Sequence, residues 1–215
     1  MRLIGMLDSP YVRRVAVTLK LLRLPFVHEP VSVFGADGRF AGVNPVLKAP
    51  SFVCDDGTVL MDSGLVIDHL EAVAGRSLWP APLAERTRAL RQAGLALAAC
   101  EKLAQVVYEH HLRPAEKRHA PWLERVHAQL RASLSGLEEG AARAETIADE
   151  RSLDHGTLAA AIAWRFMRLR PESGLDDPAF PALATLAARI EALPSFASTP
   201  VEETADVSTA GYPAP

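Results

Sequence analysis

The sequence predicts a protein of two parts, an α/β unit of order β-α-β-α-β-β-α followed by an all-helical one. Three observations carry that prediction. Up to about Gly75, short apolar strand-like runs alternate with stretches at 3.6-residue spacing, the pattern of a small mixed sheet covered by helices. Near Gly75 the composition shifts, and Arg76-Ser77-Leu78-Trp79-Pro80-Ala81-Pro82 reads as a connector between domains. Beyond it the periodicity is helical throughout. The divisions fall at 1–76, a linker at 77–83, a helical domain at 84–200 and a tail at 201–215.

Leu3-Ile4-Gly5-Met6-Leu7 reads as a buried strand, and Asp8-Ser9-Pro10 as a turn into a helix. Proline suits the first helical position, where its fixed φ helps and its missing N–H is not needed. Val12, Val15, Ala16, Leu19 and Leu22 carry that helix to about Arg23. Phe26-Val27-His28-Glu29 is a second strand, closed by Pro30. The glycine-rich stretch that follows supports at best a short irregular helix. Pro50 opens the run Ser51-Phe52-Val53-Cys54, at a strand start where its missing donor does least harm. Asp55-Asp56-Gly57 supplies hairpin turn chemistry, and Thr58-Val59-Leu60-Met61 returns as a strand. Asp62-Ser63 then heads a helix to about Ala74, with Leu65, Val66, Ile67 and Leu70 at helical spacing.

In the second part, Leu83 to about Leu112 forms a long helix with Leu90, Ala93, Leu97 and Ala104 on one stripe. Trp122, Val126, Leu130, Leu134 and Leu137 mark a second helix, stopped at Gly140. Leu158, Ala161, Ile162, Arg165 and Phe166 belong to a third, very apolar one. Leu183, Leu186, Ile190 and Leu193 form a fourth, ended by Pro194. Glu202 to Pro215 has no periodicity and reads as a loosely held tail.

Composition narrows the function classes. Hydrophobic residues are 49% and charged residues 23% of 215, ordinary for a soluble globular protein. A net charge of −3 gives no reason to expect nucleic acid or an anionic membrane as partner. The two cysteines, Cys54 and Cys100, lie far apart and match no metal or redox spacing, so a reducing cytoplasm is the expected location. The apolar run at the N-terminus is too short for a signal peptide, and no stretch approaches the roughly 20 apolar residues of a membrane span.

Chemistry concentrates in Asn44 to Gly64. A strand-opening proline and a helix N-terminus lie one hairpin apart there, and helix N-termini attract carboxylates. Together they could hold a peptide-like acid. Read alone, Pro50 is equally a strand breaker, and Asp62 or Ser63 a helix cap. Four histidines, His110, His111, His119 and His127, invite a metal reading. None pairs with another at i,i+4, and neither an HExxH pattern nor a cysteine partner is present, so no metal is expected.

The order of motifs resembles the soluble glutathione transferases of bacteria from Met1 to about Thr199. The residues carrying the resemblance are Ser9-Pro10-Tyr11-Val12-Arg13, Asn44-Pro45, Lys48-Ala49-Pro50, Asp62-Ser63, Arg151 to Leu158 and Pro194-Ser195-Phe196. Each is weak alone; in this order and at these distances they are specific. The resemblance implies a thioredoxin-like first domain with a cis Ala49–Pro50 bond, where an extended peptide can pair like an added strand. The cysteinyl part of glutathione would lie against Ala49. Its γ-glutamyl carboxylate would meet the Ser63 hydroxyl and the N–H groups at the helix start, with Asp62 near its amino group and Lys48 near the glycyl carboxylate.

By the same resemblance, to the serine-type classes, Ser9 is the catalytic residue. A free thiol is only a few per cent thiolate at neutral pH, and a hydroxyl donating to sulfur at a helix N-terminus favours the charged form. Arg13, one turn later, would support it. Ser9 also fits a plain N-cap, and the two roles are compatible. Ser9-Pro10-Tyr11-Val12 is the Cys-Pro-Tyr-Cys pattern of glutaredoxins with both cysteines gone, which excludes disulfide attack by that route. In the second domain the family places a Ser/Thr-x-x-Asp capping box before its buried helix. The matching Ser152-Leu153-Asp154-His155 has histidine in place of the acid, so either Asp154 shifts the cap or Ser152 caps alone.

The implied activity is a glutathione transferase, with attack of the glutathione thiolate on a small hydrophobic electrophile, in detoxification. Glutathione is the cosubstrate and no cofactor is expected. Tyr108, His111, Trp164 and Met167 would line a pocket for the second substrate, although helical packing explains each of the same residues equally well or better. A cytoplasmic homodimer is the default of the family. The alternatives are a glutathione-dependent isomerase or dehalogenase on the same site, or a non-catalytic binding protein of the same fold, as stringent starvation protein A is.

Overall fold

The structure, a computed structural model, describes residues 1–144, 149–175 and 177–201. The expected tail therefore lies, apart from Val201, outside the described residues. Two compact units result: Met1–Ser77 with the described residues from Ser195 onward, and Leu78–Pro194. The sequence reading gave residues 195–200 to the helical domain, whereas they pack with the first unit. The reason is a buried arginine, described below, that only the folded chain brings to them.

The first unit contains β1 (Arg2–Ile4), α1 (Pro10–Leu22), β2 (Val27–Glu29), α2 (Arg39–Val43), β3 (Ser51–Val53), β4 (Val59–Leu60) and α3 (Ser63–Ala74). The sheet order is β2-β1-β3-β4, with β1 parallel to β2 and antiparallel to β3, and β3 antiparallel to β4. This mixed four-stranded sheet with its helices is a thioredoxin-like domain, the expected β-α-β-α-β-β-α order. Leu3, Ile4, Phe52, Val12, Val15, Leu19, Val66 and Leu70 are buried between sheet and helices. The strands are short because sheet, turns and helix starts compete for the same few residues. Thus Gly5 has φ +138 and leaves the strand, although its N–H still reaches the Glu29 carbonyl at 3.0 Å.

The helices α1 and α3 end as their sequences dictate. Ser9 caps α1 with Pro10 inside its first turn, and Arg23 closes it at φ 58; Asp62 caps α3, and Gly75 closes it at φ 61. The irregular segment does hold one short helix, α2.

The second unit contains α4 (Leu83–His111), α5 (Ala120–Arg143), α6 (His155–Arg168) and α7 (Pro181–Glu191), with the short α8 (Pro194–Ala197) at its boundary. Two expectations need correction. The buried stripe of α4 runs through Ala89, Ala93, Ala96, Ala99, Cys100 and Leu103, while Leu90 is exposed. Small residues face inward because α6 packs closely there: a Cβ on Gly156 would meet the Ala89 carbonyl oxygen at 2.7 Å. Helix α5 does not stop at Gly140 but continues to Arg143. Gly140 serves packing instead, since a Cβ there would lie 1.9 Å from the Gln92 amide nitrogen.

The cap of α6 resolves in favour of Asp154. Its Oδ1 accepts from the Thr157 N–H at 2.8 Å, and its own N–H donates to Thr157 Oγ1 at 3.1 Å, a complete capping box. Ser152 belongs to a separate box with Asp149. His155, where the family has an acid, is fully buried with its ring 4.7 Å from Trp79. The Glu138 carboxylate accepts from the Ala182 and Leu183 N–H groups at 2.9 and 2.8 Å, capping α7 from α5.

Candidate functional site

The first unit gathers most of the expected site residues. Gly5 is the junction. A Cβ on it would lie 2.6 Å from Val12 Cγ2 and 3.4 Å from the Ala49 Cβ, so the first turn of α1 and the residue before Pro50 converge on this one bare position. The Ala49–Pro50 bond is cis.

Ser9 sits half-buried at the head of α1. Its Oγ accepts from the Val12 N–H at 3.4 Å, and no described residue accepts its hydroxyl proton. Capping uses a lone pair and leaves the O–H to donate. The cap and a sulfur-directed hydrogen bond are thus compatible in one side chain, at the positive end of a helix dipole.

The loop carrying Lys48, Ala49 and Pro50 is braced by Asn44, which is almost wholly buried. Asn44 Nδ2 donates to Ser51 Oγ at 2.9 Å and to Met61 Sδ at 3.2 Å, and its Oδ1 accepts from the Val46 N–H at 3.0 Å. Ser51 Oγ in turn donates to the Lys48 carbonyl at 2.8 Å. One amide therefore fastens both ends of the loop and the residue before Asp62. Lys48 is exposed, and no described residue pairs with its ammonium.

At the head of α3, Asp62 is exposed and its Oδ1 accepts from the Gly64 N–H at 2.7 Å. Ser63 is 2% exposed, and its Oγ accepts from Arg14 Nη1 at 3.2 Å. Arg14 is itself 4% exposed. The sequence reading named Ser63 but missed Arg14 and gave Asn44 no role. A signal existed for Arg14: a charged residue at i+4 from Pro10 and i−4 from Thr18, on a stripe that is otherwise buried.

Arg13 departs from expectation. Its Nε donates to the Thr199 carbonyl at 3.1 Å, and its guanidinium lies 5.4 Å from the centre of the Phe196 ring. At 2% exposure it fastens the segment after Ser195 to α1.

The four residues assigned to a second-substrate pocket separate. Met167 is fully buried in the helical unit, and Trp164 is buried with its ring edge-on to Phe180 at 6.2 Å. Helical packing accounts for both positions. Tyr108 is 47% exposed. His111 hydrogen-bonds to the Glu172 carboxylate. Burial pushes that carboxyl up, but the bond from His111, a backbone hydrogen bond and the charges of His111 and Arg170 outweigh it and hold it below the usual range.

Cys54 is the thiol nearest this region in sequence. Its Sγ lies 3.6 Å from His69 Nε2, and burial, Asp56 and Asp55 together push its thiol up, so it stays protonated. Among the described residues no group of three ligating side chains could hold a metal ion, and no helix is long and apolar enough to cross a membrane.

A thioredoxin-like unit with a cis-proline loop, a serine-capped first helix and an Asp-Ser helix head is the arrangement that the resemblance to glutathione transferases led one to expect. Comparison with known proteins agrees. Residues 3–77 match the glutathione S-transferase N-terminal domain. The uncharacterized GST-like protein YibF of Escherichia coli K12 is 26% identical over 207 residues, covering 93% of this chain and 98% of that one. A glutathione S-transferase of Methylobacterium radiotolerans, solved in complex with glutathione sulfonate, has a TM-score of 0.83 at 26% identity, with 96% of each chain covered. Maleylpyruvate isomerase of Pseudomonas aeruginosa has a TM-score of 0.70 at 23% identity over 96% of this chain and 99% of that one, a likeness of fold alone. Residues 3–77 therefore carry a glutathione S-transferase N-terminal domain, and the chain as a whole is similar to bacterial glutathione S-transferases.

Proposed function

We propose that this protein is a glutathione-using enzyme of the transferase type, in which Ser9 stabilises the glutathione thiolate for attack on a small hydrophobic electrophile. The observation that carries the reading is the state of Ser9. Its oxygen is committed as an acceptor to the helix cap while its proton is uncommitted, at the positive end of α1 and beside the junction with Ala49. The reading is further supported by the relative solved with glutathione sulfonate. The cysteinyl main chain would lie along Ala49 and Pro50, the glycyl carboxylate within reach of Lys48, and the γ-glutamyl end at Asp62 and Ser63. The thiol proton leaves to solvent, and the Ser9 O–H donates to the sulfur anion. The sulfur lone pair then forms the new bond to the electrophilic carbon as the leaving group departs with its electrons.

Removing the Ser9 donor costs about 1.5–3 kcal/mol, the usual worth of a hydrogen bond to a charged group, or about a tenfold to hundredfold in kcat. Ser9→Ala should show that loss with a haloarene substrate and a raised thiol pKa of bound glutathione by ultraviolet titration, while the glutathione Kd changes little. Unchanged kcat and thiol pKa would remove Ser9 from the chemistry. A protein giving no thermal shift with millimolar glutathione would instead be a binding module. Substrate profiling over aryl halides, epoxides, peroxides and maleyl compounds separates transfer from isomerisation and dehalogenation.

The reading includes a cytoplasmic homodimer clearing electrophiles. Leu65 and Val73 of α3 are large apolar side chains left exposed on the single chain, which supports association. Light scattering reporting a monomer at micromolar concentration would count against it.

A further inference from the structure

We propose that Arg14 is a positioning residue that makes the head of α3 selective for a carboxylate. The inference rests on the glutathione reading and concerns how its γ-glutamyl end is recognised. Ser63 Oγ accepts from Arg14 Nη1 at 3.2 Å, and both residues are more than nine-tenths buried. Among the described residues no group accepts the Ser63 hydroxyl proton. A hydroxyl has one proton, and a guanidinium can only donate. Once the guanidinium holds the oxygen as an acceptor, the proton is what the side chain offers a ligand. A buried donor without an acceptor is costly, so the site favours whatever supplies one.

Two further features favour an anionic acceptor over a neutral one, and a third suits an ammonium group beside it. The Arg14 charge lies one hydrogen bond behind the hydroxyl. The N-terminal N–H groups of α3 add partial positive charge. Asp62 is turned to the Gly64 N–H through Oδ1, so its charge is placed at the cap, where an ammonium group beside the carboxylate can meet it. A γ-glutamyl α-amino acid carries both charges. Lysine could not replace Arg14 in full, because an ammonium lacks the planar fork that reaches the hydroxyl from a fixed direction.

The test is titration calorimetry of wild type, Arg14→Met, Arg14→Lys and Ser63→Ala, with glutathione and with cysteinylglycine, which lacks the γ-glutamyl unit. Wild type should prefer glutathione. Arg14→Met and Ser63→Ala should each lower glutathione affinity about tenfold or more and change cysteinylglycine affinity less than about twofold, so the preference collapses. Arg14→Lys should fall between. Should Arg14→Met fail to fold, Ser63→Ala and Arg14→Lys carry the same comparison. Variants that bind glutathione with the preference intact, or lose both ligands equally, overturn the role of Arg14 alone. Wild type that binds neither ligand overturns the glutathione reading, and this inference with it.

Discussion

Arg13 Nε donates to the carbonyl oxygen of Thr199 at 3.1 Å, joining residues 186 positions apart. The same guanidinium covers the Phe196 ring, and Thr199 Oγ1 donates back to the Ser195 carbonyl at 3.0 Å. Arg13 N–H meanwhile donates to the Ser9 carbonyl at 3.0 Å. The end of the described chain is thus fastened to the helix turn that Ser9 caps.

Arg13→Ala should therefore destabilise the first unit as a core substitution does. It empties the space of a fully buried side chain and leaves the Thr199 carbonyl short of a donor, for a combined loss of about 3 kcal/mol. Arg13→Lys should recover only part, since an ammonium cannot lie flat on Phe196 while reaching Thr199. Urea denaturation monitored by circular dichroism measures both; an Arg13→Ala midpoint equal to wild type would show the contact to be incidental.

Gly5→Ala should be similarly costly for a different reason. The residue has φ +138, and its new Cβ would lie 2.6 Å from Val12 Cγ2. Overpacking and an unfavourable backbone region together cost roughly 2–4 kcal/mol. Because the push falls between α1 and Ala49, glutathione affinity should drop along with Tm. A variant of normal Tm and normal affinity would show that the junction yields freely.

Stability should fall with acid in two windows. Burial, then the charges of Arg131 and His110, hold the His127 pKa below its ordinary value near 6.5. The unfolded chain therefore binds the His127 proton first. Its contribution is complete above about pH 6.5 and is lost as pH falls through the lower folded value. His127→Gln should flatten the stability profile between about pH 7 and 5. Glu172, with its folded pKa held down chiefly by His111 against the opposing effect of burial, contributes above the ordinary carboxylate range and loses that contribution below about pH 4.5. Glu172→Gln should remove the lower window. Denaturation midpoints across pH report both, and a wild-type slope retained by His127→Gln would rule out that histidine as its source.

Legibility followed the range of the interactions. The α1 and α3 boundaries were readable from Ser9-Pro10 and Asp62-Ser63 because capping is settled within three or four residues of chain. The hairpin at Asp55-Asp56-Gly57 was readable for the same reason. Gly140 was misread as a helix stop because a glycine inside α5 looks like punctuation until Gln92 of α4 is seen against it. The stripe of α4 was misplaced because alanines pack inward where α6 comes close, and hydrophobicity alone ranks leucine above alanine.

The candidate site divides in the same way. Ser9, Lys48, Ala49, Pro50, Asp62 and Ser63 were singled out as residue types at informative spacings, and their part in a glutathione site is a proposal. Arg13 and Arg14, adjacent in sequence, both lie on the buried side of α1, and the partner of each was not legible there. One turns to Thr199 and Phe196 and the other to Ser63, because successive helix positions diverge by about 100°.

By itself the sequence determined the two-part architecture, the caps, the cis-proline loop by resemblance, and the serine at the head of α1. Only the tertiary structure decided that Asn44 braces that loop, that Gly5 is where α1 and Ala49 meet, that Trp164 and Met167 are core, and that Ser63 is held from behind by Arg14. Caps and turns are written by neighbours a few bonds away. A buried polar contact depends on partners from distant segments, and no local pattern records which partner each of two adjacent arginines will find.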